Sequence, residues 1–418
     1  MKIPRRYFLK SSGIAMLGMA AMPAFLQRAV AAAATTGKKK MVVLFQRGAV
    51  DGLNVVVPFA EPEYYRLRPT IAIPQPNAAS SAAQSAAIDL DGFFGLHPSL
   101  EPLAPIFKSG QLAIVQAVGS PDPTRSHFDA QDFMESGTPG AKSTEDGWLN
   151  RAMQTTPDSS ATPFRAVAFG PYLPLTLQGA APAVAIPDLK QFKMHGPPQI
   201  VESSFQAMYA QAVDTKLRGV GRETFEAADT LRKIDPDSYQ PQNGAQYPAS
   251  RFGRSLQEIA ELFKADVGLE VAFLDSDGWD HHVAEGGSEG RLANLLRDLG
   301  QGMAAFHQDM GDRMDDVVFI SMSEFGRTAH ENGNGGTDHG HANCMFVMGG
   351  AVKGGKVYAR WPGMSADQLY EQRDLAVTTD YRSVLSEIIS NHLGDRDLAK
   401  VFPGFADDPA HHFGLIKT

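Results

Sequence analysis

Residues Met41-Val42-Val43-Leu44-Phe45-Gln46 form an almost unbroken apolar run that ends in Arg47-Gly48-Ala49-Val50-Asp51-Gly52, a polar turn containing two glycines. A strand with one wet face alternates apolar and polar residues, so a continuous run reads as a strand buried on both faces, as in a parallel sheet covered by helices. The pattern recurs. Leu100, Leu103, Ile106 and Phe107 fall at helical spacing and Gly110 stops that helix. Residues 112–118 make a second strand, and the loop 119–125 leads to Ser126 at a helix start. A third strand, 269–274, ends in Asp275, Asp277, Asp280, His281 and His282, and a helix from about Ser288 follows, with Leu292, Leu295, Leu296, Leu299, Met303 and Phe306 on one face. Residues 317–320 and 344–348 are the fourth and fifth strands.

Strand, polar loop and helix in this order predict an α/β fold over residues 41–418, a doubly wound, mostly parallel sheet with helices on both faces. Ligands of such sheets bind at the carboxyl ends of the strands. The stretch 144–247 is richer in Pro, Gln and Ser and less periodic, and is expected to be an inserted cap. Residues 74–87 read as a surface loop.

The first residues, Arg5-Arg6-Tyr7-Phe8-Leu9-Lys10, precede a moderately apolar run and an Ala-rich segment, the layout of a twin-arginine signal peptide over 1–34. The expected destination is the periplasm or the exterior, with the twin-arginine translocase as export partner. Cleavage takes Lys2, Arg5, Arg6, Lys10 and Arg28 and no acid from a chain whose formal net charge is already −9. An acidic surface of this kind argues against nucleic acid or anionic lipid as partner. No later run is long enough to span a membrane. Cys344 is the single cysteine, so an intrachain disulfide is excluded.

The densest polar motif is Gly335-Gly336-Thr337-Asp338-His339-Gly340-His341. A carboxylate beside imidazoles, bracketed by glycines that permit close approach, is what a Zn, Mn or Fe site needs. In the second cluster, Asp280 and His282 stand two apart and can face the same side, whereas Asp275 and Asp277 fit helix capping equally well. Asp51 after the first strand and Glu324 after the fourth offer oxygen ligands for a second ion, and an ion pair is a common solution for hydrolysing phosphate esters. Ser126 carries two readings. Ser126-His127-Phe128-Asp129 is a capping pattern, and a hydroxyl at a helix N-terminus is also placed to act as a nucleophile. His127 fits a base, a ligand or a satisfied surface histidine. Arg327 fits an oxyanion clamp or a partner for a carboxylate.

In the order of its segments, Arg47–Gly52, Ser126-His127-Phe128, Gly278-Trp279-Asp280-His281-His282, Ser323-Glu324-Phe325-Gly326-Arg327-Thr328 and Gly336-Thr337-Asp338-His339-Gly340, the chain resembles the bacterial domain-of-unknown-function family numbered fifteen hundred and one. That family carries twin-arginine signals and is similar to the alkaline phosphatase and sulfatase superfamily. The resemblance implies an alkaline phosphatase-like fold with Asp51, Asp280, His282, Glu324 and His339 as metal ligands, Asp338 and His341 as alternatives at the last position, and Ser126 as nucleophile. It implies one or two divalent ions, Zn, Mn or Ca. One departure stands out: where the superfamily has Asp-His, this chain has Glu324-Phe325, and phenylalanine cannot ligate. Either Asp338 or another group completes the second site, or a single ion binds. The Cys-x-Pro-x-Arg motif of formylglycine sulfatases is missing. The expected activity is metal-dependent hydrolysis of phosphate or sulfate esters of a small molecule or saccharide, with Arg327 steadying the anion. The alternative is a non-catalytic exported binding or scaffold protein with at most one structural ion.

Overall fold

The computed structural model describes residues 39–76, 85–156, 163–189, 238–395 and 397–417. The expected signal segment lies outside the described residues, as do 77–84 of the expected surface loop and 157–162 and 190–237 of the expected cap.

Strand β1 (Lys40–Gln46) is the middle of the sheet because its residues are apolar on both sides. Val42 and Leu44 enter one core, and Met41, Val43 and Phe45 enter the other. Burying a side chain of this size contributes about 1.5–3 kcal/mol, so a strand apolar all round is most stable in the centre of a covered sheet. Along the chain follow β2 (Val56–Val57), β3 (Ile88–Asp89), β4 (Gly95–Leu96), β5 (Leu112–Gly119), β6 (Ala166–Phe169), β7 (Val184–Ala185), β8 (Val271–Ser276), β9 (Val317–Met322), β10 (Asn343–Met348), β11 (Lys356–Tyr358) and β12 (Thr379–Asp380). The main sheet runs β11-β5-β10-β9-β1-β8-β6-β7, with β12 beside β5, while β2, β4 and β3 form a small second sheet. β1 pairs in parallel with β8 (Met41 opposite Val271) and with β9 (Met41 opposite Val318). Both antiparallel pairings of the main sheet involve β10, against β9 and β5. The sheet is therefore mostly parallel, as expected, with β10 reversed.

Among the described residues, the helices of eight residues or more are α1 (His127–Ser136), α2 (Trp148–Thr155), α3 (Arg251–Lys264), α4 (Arg291–Met310) and α5 (Tyr381–Ile388). Leu256 and Ile259 of α3 and Leu292, Leu296 and Met303 of α4 cover one face of the sheet. Trp148 and Leu149 of α2 and Val384 and Leu385 of α5 cover the other, which makes three layers. The 144–247 stretch, expected as an inserted cap, contributes α2 to a covering layer and two strands to the main sheet, since β6 pairs with β8 and β7 with β6. Ala166 to Phe169 are all buried, so this short apolar run, lacking helical length, finds its place on the sheet. Cys344 is free and buried in β10. No helix of the described residues is long and apolar enough to cross a membrane.

Candidate metal centre

The carboxyl ends of β1, β5, β8 and β9 lie at one rim, and the reversal of β10 carries the loop before it to the same rim. Arg327 binds these loops together. Its Nε donates to the Ala49 carbonyl at 2.7 Å, Nη1 to Thr337 O at 3.1 Å, and Nη2 to Gly48 O at 2.6 Å and Trp279 O at 3.3 Å. Nη2 also pairs with Asp280. A Cβ on Gly48, which has φ +112°, would fall 2.7 Å from the Asp280 amide nitrogen, so only glycine lets these two loops touch. The segment around Arg327 forms an antiparallel bridge with His339, closed by Gly326 N–H to His341 O and Gly340 N–H to Gly326 O, both at 2.8 Å.

Three imidazoles converge there. His127 Nε2 and His339 Nε2 are 3.0 Å apart, and His282 Nε2 is 3.0 Å from His339 Nε2. Asp280 Oδ1 lies 3.1 Å from His282 Nε2 and 3.6 Å from His339 Nε2, and its Oδ2 is 3.7 Å from His127 Nε2. The ligand atoms of His127, Asp280 and His339 all fall within 4.8 Å of one another. Each ring's other nitrogen faces an acceptor: His127 Nδ1 meets Glu324 Oε1 at 2.8 Å, His282 Nδ1 meets Asp338 Oδ1 at 2.9 Å, and His339 Nδ1 meets the Arg125 carbonyl at 2.8 Å.

Carboxylates and carbonyls only accept, so each Nδ1 carries a proton, and Nε2 is the nitrogen left to present a lone pair to a cation. Bare nitrogens at such separations repel unless a cation lies among them. Nitrogens 2.0–2.1 Å from one tetrahedral Zn ion would lie about 3.3 Å apart, close to the spacing seen here. Rings oriented by a carboxylate or carbonyl on the far nitrogen are the usual support of histidine ligands. The donor set thus fits a divalent ion held by His127, His339 and Asp280, with His282 beside the last two.

The surrounding electrostatics keep the carboxylates charged. Burial works to raise Asp280, but the hydrogen bond and charge of Arg327, together with His282 and His127, hold it below its ordinary value. Burial likewise opposes ionisation of Glu324, which is lowered nonetheless by donors from His127, Gln131 and the Gly48 amide. The His282 hydrogen bond lowers Asp338. Burial pushes His339 below the ordinary imidazole value, with the Arg125 carbonyl opposing and the charges of His127 and Arg327 assisting.

Several expected site residues stand elsewhere. Asp51 is buried, and both its oxygens are engaged by Arg68, at 2.9 Å from Nη2 for Oδ1 and by Nη1 for Oδ2, so its carboxylate is satisfied by a guanidinium. Glu324 is fully buried behind His127, with Oε1 accepting from His127, Gln131 Nε2 and Gly48 N, each at 2.8 Å. It orients a ligand where it was expected to be one. Asp338 plays the corresponding part for His282, and Asn332 Nδ2 donates to it at 3.2 Å. His341 turns away, its Nε2 3.1 Å from Ser120 O and its ring against Tyr370. Arg327 binds four carbonyls and Asp280 with its side chain only 1% exposed, so it holds loops and is closed off from an incoming anion. Ser126 is exposed and caps α1, its Oγ accepting from Asp129 N–H at 3.5 Å. Phe325, the residue that cannot ligate, packs its ring 5.0 Å from His127 and 5.1 Å from His339.

His127 is the central residue that the ligand set expected from the sequence omits. Its signal in the sequence was weak, because its partner Glu324 lies 197 positions away.

Fold and site define an α/β protein with a histidine-rich candidate metal centre at the carboxyl rim of a mostly parallel sheet. Residues 38–397 match the family described as protein of unknown function (DUF1501), and the chain belongs to that family. No curated protein matches it. Among solved structures it is similar to the lipoteichoic acid synthase LtaP from Listeria monocytogenes, at 10% identity over 87% of this chain and 74% of that one, with TM-score 0.35. It is similar to the PsFucS1 sulfatase from Pseudoalteromonas sp., at 12% identity over 80% and 67%, with TM-score 0.35. A protein in the alkaline phosphatase superfamily from Vibrio parahaemolyticus gives 9% identity over 81% and 71%, with TM-score 0.34.

Proposed function

We propose that this protein is a metal-dependent hydrolase of phosphate or sulfate esters, acting in the periplasm or outside the cell after twin-arginine export. The observation that carries the reading is the convergence of the His127 and His339 Nε2 atoms and the Asp280 carboxylate, with His282 beside them and each ring oriented from behind. A divalent ion held there supplies positive charge and Lewis acidity to the oxyanion of an ester. Glu324, Asp338 and the Arg125 carbonyl fix the ring orientations, and Arg327 fixes Asp280. Ser126 stands at the N-terminus of α1, where the backbone amides and helix dipole favour a developing alkoxide. In this reading its Oγ displaces the alcohol of the ester, and water then hydrolyses the seryl ester. A single ion accounts for the inventory better than two, because Asp51 is paired with Arg68 and Phe325 replaces a ligand.

The same inventory favours a second reading, an exported binding protein with one structural ion, since Arg327 is buried away from any incoming anion. Elemental analysis and turnover of aryl phosphates and aryl sulfates with Zn, Mn or Ca separate the two. The hydrolase predicts that Ser126→Ala and His339→Ala each lower turnover by orders of magnitude with circular dichroism unchanged. One retained ion without turnover across the panel supports the binding protein.

A further inference from the structure

Among the described residues the exposed large hydrophobics are Phe128 (89% exposed), Tyr172 (82%) and Val283 (50%). Two of these three directly follow a histidine of the centre, Phe128 after His127 and Val283 after His282. Phe128 is the second residue of α1, on the turn capped by Ser126, and points away from the buried side of that helix formed by Ala130, Phe133 and Met134. Isolated surface hydrophobics need no explanation, but an exposed phenyl ring next in sequence to a histidine of the centre offers a large rigid surface to whatever binds there.

The charges around the centre point the same way. Arg327 is buried, Arg68 belongs to Asp51, and Arg47 is held by Glu135 at 2.9 Å and Asp275 at 2.7 Å. Arg125 is held by Glu371 at 2.7 Å and by Asp374. Arg373, whose charge reaches Asp338, lies 3.4 Å from Asp374. Against these stand the exposed carboxylates of Asp280 and Asp338. A substrate with several negative charges would meet carboxylates and already paired guanidiniums, whereas an apolar group would meet Phe128 and Val283.

We infer that the substrate is an ester whose oxyanion carries a single negative charge, a sulfate monoester or a phosphodiester, attached to an aryl or comparably extended apolar group that packs on Phe128 and Val283. This rests on the reading of the centre as an ester-hydrolysing ion site.

Binding is measured by calorimetry on protein carrying its retained ion, with benzenesulfonate and methanesulfonate as uncleavable, singly charged probes. Benzenesulfonate is expected to bind about tenfold more tightly, equivalent to about 1.4 kcal/mol. Phe128→Ala, at an exposed position that leaves packing intact, should remove most of that preference while methanesulfonate affinity stays the same, and Val283→Ser should reduce it less. Equal affinity for the two probes, binding of neither, or a preference that survives Phe128→Ala overturns the inference. So does a loss of self-association or vesicle binding in Phe128→Ala with the aryl preference intact, which would make the ring a docking surface. Turnover distinguishes the two sources of the oxyanion. Nitrophenyl sulfate or ethyl nitrophenyl phosphate should be cleaved faster than nitrophenyl phosphate, and a preference for the dianion overturns the charge assignment. Aryl-selective binding without turnover of any ester supports the inference and counts against the hydrolase alone.

Discussion

His127, His282, His339 and Asp280 at the rim, and Asp51, Arg68, Glu285 and Thr337 in the interior, share the loops after β8 and before β10, yet they solve opposite problems. In the interior every charge has an answer. Arg68 engages Asp51 and also donates to Ala329 O at 3.0 Å, Thr328 O at 2.8 Å and Asn54 Oδ1 at 2.8 Å, while Thr337 Oγ1 donates to Glu285 at 2.8 Å. Burial and the neighbouring Asp51 raise Glu285 well above its ordinary value, and Arg68, acting against burial, holds Asp51 below its own. At the rim, by contrast, imidazole faces imidazole, and the guanidinium that reaches them, Arg327, answers Asp280 and not the rings. A cluster whose groups all pair with one another holds loops in place, whereas ring nitrogens turned towards one another without a donor between them are arranged for a ligand from outside.

The sharpest way to break this comparison is to delete one member of each cluster. Arg68→Met leaves Asp51 buried without its cation and should cost about 3–5 kcal/mol in urea unfolding. His339→Ala in metal-free protein removes one of three crowded rings and should change stability by less than about 1 kcal/mol. Equal losses would mean that the rim cluster too is structural.

A smaller effect is expected from the contact that ties the rim to the body of the protein. Gln131 donates to Glu324 and accepts from Arg47 Nη1 at 3.0 Å, so its amide has one orientation. Gln131→Leu should loosen His127 and weaken metal affinity by about tenfold in chelator competition, with the fold retained. An unchanged affinity would show that Glu324 needs no such support.

The smallest effect concerns pH. Glu285 holds its proton more tightly in the folded than in the unfolded chain. The stability it contributes is therefore full below the ordinary carboxyl value of 4.5 and is lost as pH rises through the raised folded value. Glu285→Gln should flatten that part of the stability profile measured by urea titration across pH. A slope identical to that of the unsubstituted protein would remove Glu285 from the comparison.

Much of the fold was legible because strand burial writes itself into composition. The apolar runs at 41–46, 112–118, 317–320 and 344–348 all lie within strands of the main sheet, with ends differing by two residues at most. The third run was placed two residues early, because Asp275 and Ser276 are polar yet continue the ladder opposite Phe45 and Gln46. β6 and β7 went unread because each is too short for a periodic signal. In the site, Asp280, His282 and His339 were legible as metal-type side chains in glycine-bracketed loops. The separate tasks of Asp51, Glu324 and Arg327 were not, because each depends on a partner that no local pattern names: Arg68, His127 and the backbone of three loops.

By itself, then, the sequence determined the layers and supplied the chemistry, since hydrophobic burial and residue type are local properties of the chain. The tertiary structure decided direction and pairing. An apolar run carries no arrow, and only the antiparallel docking of β10 between β9 and β5 brings the loop before that strand, with His339, to the rim where the other strands end. Which carboxylate meets the outside and which is neutralised within depends on through-space contacts, 17 positions apart for Asp51 and Arg68 and 197 for Glu324 and His127, and such contacts exist only once the sheet has formed.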